Sequence, residues 1–421
     1  MTKKQKNVWT WVPSLYFTEG LPYVAIVTMS VVMYKNFGMS NANIAFYTSW
    51  FYLPWVIKPL WSPFVDLIKT KRWWITNTQL LMGIGFIAIA LSLSSSLYVI
   101  LSVLFFWLLA FLSATHDIAA DGFYLLGLNK EKQSFFIGIR NTFYRFALIT
   151  GQGLLVYFAG RMEKQTGDIS LSWSITFGIL AGILLLLAIY HKIILPRPKE
   201  DKQGSINKAR DIWQGFLETF ASFFTKPQAG RAILFLLTYR FSEAQLLKLI
   251  QPFMLDTKEA GGLGLETADV GIIYGFFGVI GLLLGGILGG ILGAKGGLKR
   301  WFWPMMLTML FTSIVFVYLA YSQTNNWYII NLCILIEQFG YGFGFTAYTL
   351  FMMSFAQGKN KTAHYAICTG FMALGMMLPG MIAGQVQEWL GSYTAFFNYV
   401  MICSIIPIFT ASLLKKTISS E

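Results

Sequence analysis

The stretch Thr115-His116-Asp117-Ile118-Ala119-Ala120-Asp121 concentrates groups that can do chemistry. In a helix, residues four apart project from one face, so Asp117 and Asp121 stand one above the other with His116 beside them. They lie in an apolar run from about Leu97 to Leu128. An ionisable side chain in hydrocarbon costs about 2.5 kcal/mol or more, so such groups face a cavity or a partner. Two acids placed there can take up and release a proton, and an imidazole, which titrates nearest neutral pH, can relay one.

Similar groups recur along the chain. Glu19 lies in Tyr16-Phe17-Thr18-Glu19-Gly20-Leu21-Pro22, where Gly20 and Pro22 weaken a helix. Glu243 and Glu337 complete a set of candidate proton-handling residues with Asp117, Asp121, Glu19 and His116. Arg140, Arg145, Arg240 and Lys58 supply cations that can grip an anion. Tyr16, Asn141, Tyr144 and Gln152 lie nearby in sequence as candidate substrate contacts. Arg140 and Arg145, five apart, are turned about 140° from each other and meet different partners. One is expected to pair with Asp117 or Asp121 and the other to stay free for an anion; alternatively both pair with acids and brace the bundle. Of the two acids, Asp121 is expected to be held by an arginine and the deeper Asp117 to carry the proton. Lys58 either snorkels to the membrane edge or faces the cavity. Arg240 and Glu243, three apart, can neutralise each other, and Lys248 lies further out.

The elements that carry these residues are membrane spans. The 421 residues are 56% hydrophobic and only 12% charged, with mean hydropathy +0.58, against about 25% charged in soluble domains. About twelve segments reach the ~20 apolar residues that cross a bilayer: near 9–35, 42–65, 73–94, 97–128, 134–160, 171–195, 231–254, 267–294, 301–321, 326–355, 362–387 and 392–414. The expected class is an all-α integral membrane protein. The net charge of +13 would suggest nucleic acid in a soluble chain. Counted by loop with the N-terminus in the cytoplasm, however, twenty-three Lys and Arg fall on the cytoplasmic side and four outside. That asymmetry is the positive-inside pattern, with both termini cytoplasmic and no nucleic-acid partner implied. Cys333, Cys368 and Cys403 lie in apolar segments without metal or disulfide spacing. Glu19 interrupts the first apolar run and no cleavage-site pattern follows, so that run reads as a retained span.

The chain divides into a six-span bundle over 1–195, a cytoplasmic linker over 196–230 and a second six-span bundle over 231–421. In the linker, Ile212, Trp213, Phe216, Leu217, Phe220, Phe223 and Phe224 recur at helical spacing, predicting an amphipathic helix in the membrane interface. The halves echo each other. Tyr16-Phe17-Thr18-Glu19-Gly20 parallels Arg240-Phe241-Ser242-Glu243-Ala244, and Lys71-Arg72-Trp73-Trp74 parallels Lys299-Arg300-Trp301-Phe302-Trp303. Two parallel six-span repeats imply a transporter with its substrate held near the midplane. Gly281, Gly285, Gly289 and Gly293 form a small-residue ridge for helix packing, while Gly340, Gly342 and Gly344 predict a flexible run suited to a gate.

Two motifs carry a family resemblance. Lys58-x-Leu-Trp-Ser-Pro-x-x-Asp66 together with Ala114-Thr-His-Asp-Ile-Ala-Ala-Asp121 resembles the muropeptide permeases (AmpG-like) of the major facilitator superfamily, which neighbour the acetyl-CoA transporters. Gly290-x-Leu-Gly-Ala-Lys-x-Gly-Leu-Lys-Arg300 is similar to that superfamily's loop motif, with Ala294 where an acid is usual. The resemblance implies the major facilitator fold, with about twelve helices in two six-helix bundles. It implies proton-driven import of an N-acetylglucosamine–anhydro-muramyl unit, with or without peptide. It makes Asp117 and Asp121 coupling or substrate residues, and Asp66, Lys71, Arg72, Lys295 and Arg300 gating residues at the cytoplasmic side.

The expectation is therefore a proton-coupled symporter for an anionic amino-sugar derivative, working by alternating access as a monomer in a bacterial cytoplasmic membrane. Its partners are a small anionic substrate, protons and the lipid bilayer, with no cofactor or metal. Another acidic oligosaccharide or an acyl-nucleotide fits the same residues. His116 and Asp121 also form the His-x4-Asp spacing of some acyltransferases, but no second nucleophile–base set accompanies it. A passive receptor or scaffold leaves the buried charges without a purpose.

Overall fold

The computed structural model describes residues 7–201, 209–358 and 360–414, and not the side chains at 66, 67, 130, 134, 137, 209–213 and 216. Asp66 and the linker residues Ile212, Trp213 and Phe216 therefore lie outside the described residues. All regular structure among the described residues is helical.

The chain begins with α1 (Val12–Val24), α2 (Ser30–Asn36), α3 (Asn41–Trp50), α4 (Leu53–Ile68), α5 (Lys71–Ser92) and α6 (Tyr98–Gly127). It continues with α7 (Lys130–Leu148), α8 (Val156–Thr166), α9 (Ile169–Ile194), α10 (Ala209–Phe224), α11 (Ala229–Thr238) and α12 (Phe241–Leu255). The remainder is α13 (Thr267–Ile272), α14 (Val279–Thr312), α15 (Ile314–Ser322), α16 (Trp327–Phe355), α17 (Lys361–Leu390), α18 (Tyr393–Cys403) and α19 (Ile405–Ser412).

Eight helical stretches among the described residues are long and apolar enough to cross a membrane. One of them, Thr267–Ser322, is 56 residues long and holds two passes, turned at Gly297 with φ +70°. The other three passes are α3–α4, α7–α8 and α11–α12. These are the passes that hold Lys58, Arg140, Arg145, Arg240, Glu243 and Lys248, and those charges lower their hydropathy. The chain thus makes about twelve passes, each of roughly the length a bilayer requires.

Contacts gather the helices into two compact units. The first comprises Met1–Ser30 and Ile57–Phe216, the second Val31–Val56 and Leu217–Glu421. In the first unit α1 crosses α7 closely at Gly20, where a Cβ would lie 2.9 Å from the Ala147 Cβ and 3.1 Å from the Tyr144 carbonyl oxygen. Beyond Pro22, which has no N–H to give the ladder, α1 relaxes into a π turn at Ala25–Met29; α7 does the same at Ile149–Leu155. Trp11, Tyr16, Phe123 and Tyr124 fill the core between α1 and α6, with Trp11 and Phe123 edge to face at 5.3 Å. A buried polar chain ties four helices together. Ser14 on α1 meets His191 Nε2 on α9 at 2.9 Å, His191 Nδ1 meets Gln79 Oε1 on α5 at 2.9 Å, and Gln79 Nε2 meets His116 Nε2 on α6 at 2.8 Å. Gln79 donates to one imidazole and accepts from the other, which matches a nitrogen of each ring without calling for a charge on either.

In the second unit α3 packs on α12 and α17. Asn41 Nδ2 donates to Gln387 Oε1 (2.8 Å) and to the Tyr393 hydroxyl (2.7 Å), and the Ala42 N–H donates to Glu388 (3.0 Å). Lys35 and Asp256 form an ion pair at 2.7 Å. The glycine ridge of α14 lies on α16: a Cβ at Gly285 would collide with the Phe339 carbonyl oxygen. The expected gate at Gly340, Gly342 and Gly344 is instead uninterrupted helix. Cβ atoms there would strike Thr312, the Leu282 carbonyl and Met309, so these glycines permit close packing. The C-terminal part of the linker helix docks in this unit, where Phe223 packs on Phe355 and Ser222 lies 2.9 Å from His364 Nε2.

Two stability outcomes follow. Gln79→Leu strips one nitrogen of each of two buried imidazoles of its partner and costs about 1–3 kcal/mol. Gly285→Ala forces α14 off α16 at an overpacking cost of about 1–3 kcal/mol. Both lower the thermal midpoint of the detergent-purified protein, whereas Gly290→Ala, where a Cβ has nothing within 4 Å, leaves it in place.

Candidate functional site: a carboxyl cluster with two bases

α6 presents Asp117 and Asp121 one turn apart, and each meets a base from a different helix. Asp117 Oδ2 is ion-paired with the Lys58 ammonium of α4, deep enough in the unit that the two side chains are 18% and 26% exposed. Asp121 Oδ1 pairs with Arg140 of α7 at 3.2 Å and is more open, at 41% exposure. The Tyr16 hydroxyl donates to the same Asp121 oxygen at 3.0 Å. The Arg140 guanidinium lies 4.3 Å from the centre of the Tyr16 ring and 5.4 Å from that of Tyr124. Two aromatic faces thus fix the arginine where a lone salt bridge would leave it mobile.

Glu19 is the third acid. The Gly20 crossing of α1 over α7 carries it into the cluster, where its carboxyl lies beside those of Asp117 and Asp121. Its Oε2 is buried without a hydrogen-bond partner. Among the described residues, three carboxyl groups therefore share two bases. His116 turns away from this face of α6 onto Gln79, fully inside the unit.

Other residues singled out in the sequence lie around or away from this cluster. Arg145 and Tyr144 are half-buried on α7, Gln152 is half-buried in the π turn after it, and Asn141 is exposed. Arg145 makes no ion pair or hydrogen bond among the described residues. Arg72 donates to the carbonyls of Lys192 and Leu195 at the end of α9, and the backbone N–H groups of Lys71 and Arg72 hold the Asp201 carboxylate at 2.7 and 3.1 Å. Lys295 and Arg300 are exposed, with Arg300 over the Trp301 ring at 5.8 Å.

In the second unit Arg240 grips Glu243 with two hydrogen bonds, 2.8 and 2.6 Å, and donates to Tyr341 at 3.1 Å. This buried pair neutralises itself. Glu337 accepts from Gln338 at 2.8 Å, and Gln338 also donates to Tyr274 at 3.2 Å. Gln79, His191 and Ser14 were not among the residues expected from sequence. An amide two residues beyond Asn77, where the Lys71–Ser92 span turns apolar, was the available signal.

A twelve-pass chain with charged groups inside one compact unit is how a solute carrier is built, and comparison with known proteins assigns the family. The sequence profile of the Major Facilitator Superfamily matches residues 14–384. The chain belongs to that superfamily. It is a transporter, not an enzyme. Among curated relatives it is similar to "Putative transporter AmpG 4" of Rickettsia felis, 27% identical over 418 residues and covering 96% of both chains. It is also similar to the "Anhydromuropeptide permease" of Escherichia coli K12, 22% identical over 86% of this chain and 71% of that one. In fold it matches a D-xylose-proton symporter (TM-score 0.72, 13% identity, covering 97% of this chain and 96% of that one). A POT family transporter matches comparably (TM-score 0.73, 12% identity, 97% and 96%).

The ion-pair geometry sets a stability test for this transporter. Lys58→Met strands Asp117 in the unit and costs about 2–3 kcal/mol, while Lys58→Met with Asp117→Asn recovers most of it. Thermal midpoints of the two variants measure the difference; equal losses would mean the pair is not coupled.

Proposed function

We propose that this transporter is a proton-coupled symporter that imports an anionic amino-sugar derivative, an anhydromuropeptide, across a bacterial cytoplasmic membrane by alternating access. Both termini lie in the cytoplasm, as the distribution of Lys and Arg indicates, and the chain acts as a monomer. The observation that carries the reading is the shortage of one base in the cluster of Glu19, Asp117 and Asp121. Lys58 and Arg140 balance Asp117 and Asp121. The third carboxyl, beside Asp117 and without a base of its own, is where a proton relieves the surplus negative charge, so Glu19 holds it. This arrangement favours Glu19 over Asp117 as the carrier. Asp117, with Lys58, forms the charged seat against which the proton rests.

Arg145, with no described partner, is the cation offered to the substrate's anion, with Tyr144 and Gln152 beside it. The muropeptide is favoured because relatives that span nearly this whole chain carry AmpG names, and the E. coli relative is named for that substrate. At the cytoplasmic end, the contacts of Arg72 and Asp201 support a clasp that opens and closes with transport.

Proteoliposomes test the coupling. With an inward gradient of about one pH unit, one proton per substrate drives about tenfold accumulation of anhydromuropeptide. Uptake that is flat across the gradient overturns the symport. Glu19→Gln removes accumulation and keeps counterflow exchange, because the amide cannot release a proton; unchanged accumulation would exclude Glu19 as the carrier.

A further inference from the structure

Lys248 lies in the middle of α12, inside the second unit and 3% exposed. Its ammonium donates to the Thr48 hydroxyl of α3 at 2.9 Å and sits 5.1 Å from the centre of the Tyr52 ring. Among the described residues it has no acid partner. An ammonium carries three donors, and the structure matches one of them to an acceptor. The nearest acid along α12, Glu243, is five residues away and already gripped twice by Arg240. A cation without a counter-charge in a membrane span is costly and is retained for a ligand or a moving charge.

A second group points to the same spot. The Ser49 hydroxyl is fully buried with no hydrogen-bond partner. Gly380 of α17 touches both groups: a Cβ built there would lie 2.9 Å from Ser49 Oγ and 3.3 Å from Lys248 Cε. The Lys248 side chain and the Ser49 hydroxyl thus border one point where α3, α12 and α17 meet, and two N–H groups and that hydroxyl lack a described acceptor. Donors in excess around a basic amine match a carboxylate, which supplies two oxygens and one negative charge.

We propose that Lys248, with Ser49 and Thr48, is a carboxylate-binding subsite in the second unit, which opens to substrate when α3 lifts from α12 and α17. With no ligand bound, Lys248 rests on Thr48 and the Tyr52 ring. When the carboxylate arrives, the ammonium turns to it, and Ser49 acquires its missing partner. This deepens the transport reading above and rests on it, since it adds a specificity point for the acidic part of the same substrate. It is separate from the carboxyl cluster, which handles the proton.

The test uses two probes, an anhydromuropeptide with free peptide carboxylates and the same molecule with those carboxyls amidated. In proteoliposomes, Lys248→Gln raises the KM for the acid about tenfold or more and leaves that for the amide near wild type, while Lys248→Arg restores much of the loss. An equal effect on both probes, or on neither, overturns the subsite. If Lys248→Gln is not monodisperse after purification, the same comparison is made with Ser49→Ala, which removes one hydroxyl. About a threefold rise for the acid alone supports the proposal, and parity between the probes overturns it. A wild type that takes up neither probe overturns the substrate reading and the subsite with it. A wild type that takes up both, with Lys248→Gln indistinguishable from it, overturns the subsite alone.

Discussion

The first unit is governed by a charge imbalance: three carboxyl groups and two bases brought together inside a membrane protein. A bare charge there is costly, so the set persists only if each negative group has a cation or a proton. The neighbouring packing serves this requirement. Tyr16 and Tyr124 hold Arg140 against Asp121. The absence of a side chain at Gly20 lets α1 approach α7 and bring Glu19 to Asp117. The neutral chain of Ser14, His191, Gln79 and His116 ties α1, α5, α6 and α9 together behind the cluster without adding charge.

The two units handle charge differently. In the second, Arg240 and Glu243 neutralise each other and Glu337 is held by an amide, leaving Lys248 as a buried base without a described acid partner. Glycines there face carbonyl oxygens of neighbouring helices, as at Gly285 against Phe339 and Gly342 against Leu282. Such contacts bring helix backbones close together while the chain stays helical through a run of glycines.

Much of this was legible in the sequence because hydropathy and charge spacing act locally. The spans emerge from runs of about twenty apolar residues, and the placement of Asp117 and Asp121 on one helical face follows from their four-residue spacing. Partner choice was less legible. Whether Lys58 snorkels or meets Asp117 depends on how α4 is rotated toward α6, and no spacing within one helix reports that. His116 had a similar ambiguity: one residue along α6 turns it about 100°, away from the acids and onto Gln79. Gln79 leaves little trace in the sequence because a neutral amide barely alters the hydropathy of its span. The glycines at 340–344 carry the same composition whether they form a hinge or a packing face, and only the neighbouring helices decide it.

The central claim is that a proton rests on Glu19 against the Asp117–Lys58 pair. Infrared spectroscopy of the purified protein at neutral pH tests it directly, because a protonated carboxyl has a C=O stretch separate from those of carboxylates and amides. The account predicts that subtracting the Glu19→Gln spectrum from that of the wild type leaves one protonated-carboxyl band, which deuterium exchange shifts. A difference spectrum without that band, and with a lost carboxylate band in its place, would show Glu19 ionised and contradict the account.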